Sequence, residues 1–235
     1  MFNPRARLSL LRLGDRQHCV IVDDALVDPE GLVRLAGERH SEFRPIEGNA
    51  YPGVCLAAPD EVVRSLDDYF AHSVRRHFDA RRLVSMHCRL SLVALPPEAL
   101  RPFQWLCHRD GQAIAVGQSI QASVLYLFRD ERLGGTSFYE PARSVAETAT
   151  LFADSKHMSG SDFTARYGLQ PGYIQHTNGY FRCLGSVPAR WNRMIFYDGS
   201  MLHSGDIDSA GGLSSDPLTG RLTLNGFFTS KRNAK

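Results

Sequence analysis

Arg193-Met194-Ile195-Phe196-Tyr197-Asp198-Gly199-Ser200-Met201-Leu202-His203-Ser204-Gly205 reads as an apolar strand, a turn at Asp198-Gly199 and an exposed histidine just beyond it. It is one of five short β-rich runs that follow Arg82, at residues 83–95, 119–128, 136–139, 193–197 and 222–228. Long loops separate them and no regular alternation with helices occurs, which predicts a sandwich or jelly roll rather than a parallel sheet. Upstream the texture is different. An apolar run at 19–22 leads to Asp28-Pro29-Glu30, an N-cap followed by proline at the first helical position, so a strand should feed a helix reaching about His40. Asn49-Ala50-Tyr51-Pro52-Gly53 is turn chemistry. Pro59-Asp60-Glu61 then opens a second helix, whose Val62, Val63, Leu66, Tyr69, Phe70, Val74 and Phe78 recur at helical intervals. The expected architecture is mainly β (α+β): one domain over 1–235, with a supporting strand and helices in 1–82. A jelly-roll core then occupies 83–235, interrupted by an insertion at about 141–188 that acts either as a lid or as a cover for the sheet edge.

Composition narrows the function classes. The chain has 235 residues, 43% apolar and 22% charged, an ordinary balance for a globular protein. With 27 Lys+Arg against 25 Asp+Glu the formal charge is only +2, so neither nucleic acid nor an anionic membrane is an expected partner. Lys156, Lys231 and Lys235 are the only lysines, and the arginines are spread rather than clustered. Five scattered cysteines without a CxxC pair suit a reducing compartment and buried apolar roles, Cys107 beside His108 being the one worth separate notice. Arg12 and Asp15 break the apolar character of the amino terminus, and no stretch has the ~20 apolar residues of a membrane span, so a cytoplasmic protein is expected.

His108-Arg109-Asp110 puts an imidazole and a carboxylate two residues apart, on one face if the backbone is extended. His77-Phe78-Asp79 has the same spacing but falls at a helix end, where i and i+2 diverge, and is read as structural. The downstream order separates the two: a strand through Tyr126-Leu127-Phe128, the turn Gly134-Gly135-Thr136-Ser137-Phe138, His203, and Arg221 on the last strand with Thr223 and Asn225 on its face.

In that series the chain resembles the iron(II)- and 2-oxoglutarate-dependent oxygenases, and among them the prolyl 4-hydroxylase-like branch, over about 101–230. The resemblance implies a double-stranded β-helix supported by amino-terminal helices. It implies that His108, Asp110 and His203 hold Fe(II), and that Arg221, eighteen residues after His203, receives the distal carboxylate of 2-oxoglutarate. Tyr126 would lend its hydroxyl to that cosubstrate, and Thr223 or Asn225 would complete the carboxylate site. Two imidazoles and one carboxylate on one face leave positions open for cosubstrate and O2. The implied activity is hydroxylation of a C–H bond in an amino acid, a peptidyl side chain or a small metabolite, releasing succinate and CO2. Two other readings stand beside it: a metal-binding or interaction module without turnover, and a cupin-like metal enzyme indifferent to 2-oxoglutarate. Candidate substrate contacts are Arg109, Gln112 and Gln118 with Trp105 and Trp191, and Arg143, Arg182 and Arg190 would favour an anionic group if they converge. The oligomeric state is left open.

Overall fold

In the computed structural model, which describes residues 1–15, 17–46, 51–111, 114–208 and 212–233, the chain begins with β1 (Arg7–Leu13), β2 (Gln17–Asp23), α1 (Pro29–Glu38), β3 (Arg44–Pro45) and β4 (Gly53–Ala57). It continues through α2 (Asp60–Tyr69), β5 (Arg82–Val93), β6 (Gln118–Tyr126), β7 (Gly135–Pro141), α3 (Val145–His157) and α4 (Gly160–Tyr167). It ends with β8 (Phe181–Val187), β9 (Met194–Asp198), β10 (Leu202–Asp206) and β11 (Arg221–Lys231). The strands form two antiparallel sheets, an eight-stranded one in the order β1-β2-β9-β6-β11-β5-β4-β3 and a three-stranded one in the order β10-β7-β8. All five β-rich runs are strands, and the fold is mainly β as expected. Residues 1–82 do more than support it, since β1 to β4 form both edges of the large sheet. Of the turn read at 49–53, Asn49 and Ala50 lie outside the described residues.

The two-residue period of β11 separates the faces of the large sheet. Leu222, Leu224 and Phe228 point to the helical side, where they join Val62, Leu66, Phe70 and Val74 in one buried cluster. Phe70 stacks on Phe228 with ring centroids 4.1 Å apart. α1 begins as the sequence predicts, with the Asp28 carboxylate accepting from the Gly31 N–H and Pro29 in the first turn. After α2 the helical path continues to His77 with changed hydrogen bonding, through a π-turn at Phe70–Val74 and a 3₁₀ turn at Arg75–His77. Asp79, of the rejected His-x-Asp pair, accepts from Arg232 and from the Asn233 N–H and so anchors the carboxy-terminal end.

Toward the other face, Leu13, Ala122, Tyr126, Ile195 and Tyr197 of the large sheet pack with Phe138 and Val187 of the small one. The two sheets therefore sandwich a core. The stretch 141–188 is more regular than a loop. Ser144 and Glu147 form a reciprocal capping box that starts α3, Ser159 caps α4, and β8 completes the small sheet. Leu151 and Phe163 of these helices bury against Tyr139, Phe181 and Leu202, and none of the described residues that line the large cavity comes from 141–188. Their packing is that of a sheet cover. Among the described residues, no helix is long and apolar enough to cross a membrane.

Candidate active site

His108 and His203 lie far apart in sequence but are locked together by their own backbones. The His108 N–H donates to the His203 carbonyl and the His203 N–H to the His108 carbonyl, each at 2.9 Å, an isolated antiparallel bridge that joins a loop to β10. Asp110 is set by a third bond, its N–H donating to Gly199 O at 2.8 Å, while the Gly199 N–H donates to Ile120 O on β6. A side chain at 199 would press on this arrangement, because a Cβ there would lie 3.2 Å from both Asp110 Cβ and Ile120 Cγ2.

One ligand atom from each of His108, Asp110 and His203 falls within 4.8 Å of the other two. Asp110 Oδ2 is buried, has no hydrogen-bond donor, and sits 3.4 Å from His203 Nε2. His203 is not exposed, as its place beyond a turn had suggested. It lies on β10 with 5% of its surface accessible, because β10 pairs with β7 and turns the ring into the sandwich. Its Nδ1–H donates to the Met201 carbonyl at 2.9 Å, which leaves the Nε2 lone pair facing Asp110. An outer hydrogen bond of this kind sets the tautomer and orientation of a metal-binding imidazole. Burial lowers the His203 pKa to about 4 against the small opposing effect of the Met201 bond. His108, whose side chain keeps 46% exposure where it lines the cavity, is lowered as well, by desolvation first and the neighbouring His203 next, with Asp110 opposing. Desolvation raises the Asp110 pKa. Two neutral imidazoles and a carboxylate short of positive charge suit a divalent transition-metal cation.

These shifts set a pH signature for the metal-free protein. A histidine whose folded pKa is depressed adds stability above its unfolded pKa, and loses it as pH falls toward the folded value. Unfolding midpoints of the metal-free protein are therefore expected to drop between pH 6.5 and about 4 more steeply than those of a His108→Gln/His203→Gln variant. Asp110 is common to both proteins, so equal slopes would refute the assignment.

The site opens into a cavity of about 530 Å³ between the sheets. Its floor is the inner face of β11, where Arg221, Thr223, Asn225, Phe227 and Thr229 alternate into the lining. Arg221 is 4% exposed. Its Nε donates to Leu133 O (2.9 Å) and Gly134 O (3.2 Å), and its Nη2 to Gly135 O (2.8 Å). The Gly134-Gly135 pair makes this possible. Gly134 has φ +82°, and a Cβ on it would lie 1.8 Å from Asp206 O, while one on Gly135 would lie 1.9 Å from Val187 O. Only bare backbone brings three carbonyls onto the guanidinium. Among the described residues no carboxylate pairs with Arg221, and Nη1 takes no protein acceptor. A Cβ on Gly205 would lie 3.7 Å from Arg221 Nη2, so the guanidinium sits beneath the residue two beyond His203, about 7 Å along a strand.

The other expected residues divide. Thr223 and Asn225 line the cavity, with Thr223 Oγ1 3.4 Å from Ser91 O and Asn225 Oδ1 buried without a donor. Tyr126 does not reach the lining. Its hydroxyl is hydrogen-bonded to Thr136 Oγ1 at 2.8 Å, and Thr136 takes its place at the cavity wall. Arg109 lines the cavity, and Gln112 lies outside the described residues. Gln118 is absent from the wall. Trp105 is buried against Phe163, and Trp191 packs on the helical cluster with Arg129 over its ring. The three remaining arginines do not converge: Arg143 donates to Gly179 O, Arg182 pairs with Glu140, and Arg190 lies 3.9 Å from Asp23. Cys107 is fully buried, and burial drives its thiol pKa far upward, an inert packing residue. Tyr197, His87 and Arg89 join the lining without having carried a motif; strand alternation in 83–95 and 193–197 was their only sequence signal.

Fold and site together define a mainly β chain whose two sheets enclose a two-histidine, one-aspartate cluster beside a buried arginine. Residues 4–228 match a family described as "Family of unknown function (DUF6445)", and the chain belongs to that family. No curated protein matches it in sequence. Among solved structures, the non-heme alpha ketoglutarate dependent carbocyclase SnoK from nogalamycin biosynthesis is similar over 91% of this chain and 80% of its own, at TM-score 0.51 and 15% identity. The non-heme alpha ketoglutarate dependent epimerase SnoN covers 93% and 82% at TM-score 0.47 and 12% identity. HygX from Streptomyces hygroscopicus, with nickel and 2-oxoglutarate bound, covers 92% and 83% at TM-score 0.47 and 8% identity. At this level of identity the SnoK likeness establishes a shared fold.

Proposed function

We propose that the chain is an Fe(II)- and 2-oxoglutarate-dependent oxygenase. In this reading it is a double-stranded β-helix of the prolyl 4-hydroxylase-like kind that hydroxylates a C–H bond of an amino acid, a peptidyl side chain or a small metabolite. The observation that carries the proposal is the convergence of His108, Asp110 and His203 within 4.8 Å, one strand pleat from an arginine that no carboxylate neutralises. The shared fold with SnoK, an alpha ketoglutarate dependent enzyme, supports it.

His108, Asp110 and His203 would hold the metal through two neutral nitrogens and one carboxylate, and Asp110 would offset part of its charge. Fe(II) with 2-oxoglutarate and O2 supplies the oxidising chemistry, in which the substrate C–H becomes C–OH as 2-oxoglutarate becomes succinate and CO2. Arg221 would receive the far carboxylate of 2-oxoglutarate with the Nη1/Nη2 end of its fork, the rest being pinned by the 133–135 carbonyls. Thr136, held by Tyr126, and Thr223 would add hydroxyls. Met201 keeps the His203 proton on Nδ1.

Addition of Fe(II) and 2-oxoglutarate without O2 is expected to produce a visible charge-transfer band, and admission of O2 to produce succinate. Metal binding without the band would favour a metal-binding module, and turnover indifferent to 2-oxoglutarate would favour a cupin-like enzyme. Arg221→Lys is expected to weaken 2-oxoglutarate binding at least tenfold while metal affinity holds, since a point charge loses the two-pronged grip. An unchanged cosubstrate affinity would move that site elsewhere.

A further inference from the structure

Besides Arg221, the cavity lining holds two arginines that the cosubstrate does not need, Arg109, which is exposed, and Arg89, whose Nε is buried. Arg89 on β5 stands opposite Asn225 of β11 in the ladder, four residues along the strand from Arg221 and therefore on the same inner face, about 13 Å away at strand rise. Its guanidinium lies over two aromatic rings, 5.7 Å from the Tyr51 centroid and 5.1 Å from that of Phe227. Phe227 is itself stacked on His87 at 4.9 Å. Such contacts hold the planar cation in place but neutralise no charge. Arg89 Nε is buried with no hydrogen-bond partner, and among the described residues no carboxylate lies within salt-bridge distance of Arg89. The neighbouring Asn225 Oδ1 is likewise buried without a donor.

Anion counting then assigns the surplus. If the oxygenase reading holds, one carboxylate of 2-oxoglutarate goes to the metal and the other to Arg221. A single dicarboxylate has no third anionic end, so Arg89 and Arg109 are left over. Of the two it is Arg89 that is held in place among aromatic rings with a buried Nε, whereas Arg109 is exposed. We infer that Arg89, framed by Tyr51 and Phe227, is the recognition site for a carboxylate of the primary substrate, which is an organic acid whose apolar or aromatic body lies on those rings. Asn225 Oδ1 would accept from an N–H or O–H donor on the same molecule. The substrate's acid end would thus be bound at β5 and the carbon to be oxidised would reach back toward the metal cluster. Arg89 and the His108, Asp110 and His203 cluster line one and the same cavity of about 530 Å³, so one small molecule can span the two. This inference rests on the function proposed above, which assigns Arg221 to the cosubstrate.

The test is calorimetric and needs no turnover. Three probe acids, 3-phenylpropionate, octanoate and N-acetylphenylalanine, are titrated against their uncharged amides, into metal-free protein and into protein loaded with Ni(II) and 2-oxoglutarate. At least one acid is expected to bind tenfold or more tightly than its amide, and Arg89→Gln is expected to abolish that preference. The same variant should keep its unfolding midpoint and its 2-oxoglutarate affinity within about twofold, a combination that a merely structural arginine would not give. Arg89→Lys should restore part of the acid preference. Equal binding of every acid and amide, or absence of binding by all of them, overturns the inference and leaves the oxygenase reading standing. A tenfold loss of 2-oxoglutarate affinity in Arg89→Gln also overturns it, because Arg89 would then be the cosubstrate's cation. Failure of wild-type protein to bind Ni(II) or 2-oxoglutarate, with the acid preference intact in metal-free protein, removes the oxygenase reading alone.

Discussion

Replacing Asp110, His108 or His203 by alanine is expected to lower divalent-metal affinity by a hundred- to a thousand-fold. That range follows if the ~10–16 kcal/mol of a protein metal site is shared among about four ligands, each worth ~2.5–4 kcal/mol. Titration of Ni(II) or anaerobic Fe(II), followed calorimetrically, reads it directly. The Asp110 variant separates a ligand from a structural carboxylate. Asp110 Oδ2 is buried without a donor, and burial raises the pKa of the group, so the charged side chain costs the metal-free fold stability. Asp110→Ala is therefore expected to lose metal while its metal-free unfolding midpoint stays level or rises. A carboxylate retained for folding would show the opposite, a fall in midpoint with metal affinity kept. His203→Ala should also leave the Met201 carbonyl without its donor, so its metal-free protein should be the less stable of the two.

Gly134→Ala is the substitution expected to do most damage to the fold. Two separate costs meet there. A φ of +82° is costly for any residue with a Cβ, by ~1–3 kcal/mol, and the added methyl would stand 1.8 Å from Asp206 O, forcing β7 away from β10. Moving that turn also withdraws the Leu133, Gly134 and Gly135 carbonyls from Arg221, which leaves a buried guanidinium short of acceptors. A total loss of ~2–6 kcal/mol in urea unfolding follows from adding the ~1–3 kcal/mol backbone cost to the ~1–3 kcal/mol of a buried donor left unpaired. Gly168→Ala is the control, because φ there is +69° but nothing lies within 4 Å of the new Cβ, so only the left-handed backbone cost of ~1–2 kcal/mol applies. Equal losses in the two variants would mean that the contact with Asp206 is of no consequence.

Much of this architecture is legible in the amino-acid sequence. Strand alternation, proline at the start of α1 and the apolar spacing of α2 are local signals, and they located most of the large sheet and its helical cover. The site was legible in part. His108, Asp110, His203 and Arg221 occur in an order that marks a known series, and they do share one cavity. Arg89 and Tyr197 carried no such mark, because what makes them site residues is register: Arg89 faces the cavity since it pairs with Asn225, and Tyr197 since it pairs with Ala122. The helices in 141–188 were legible in principle, since Ser144 and Glu147 have capping-box spacing, but the low apolar periodicity of α3 hid them.

The amino-acid sequence by itself determined which chemistry is available: two imidazoles, one carboxylate and one arginine in a fixed order, with His203 and Arg221 on strands and His108 and Asp110 on a loop. Only the tertiary structure decided who meets whom. The paired backbone bonds of His108 and His203, the bare backbone of Gly134-Gly135 bent onto Arg221, and the replacement of Tyr126 by Thr136 at the cavity wall all depend on strands distant in sequence coming into register. Local propensity carries no information about such pairings, because the free energy that selects them comes from burying both sheet faces at once.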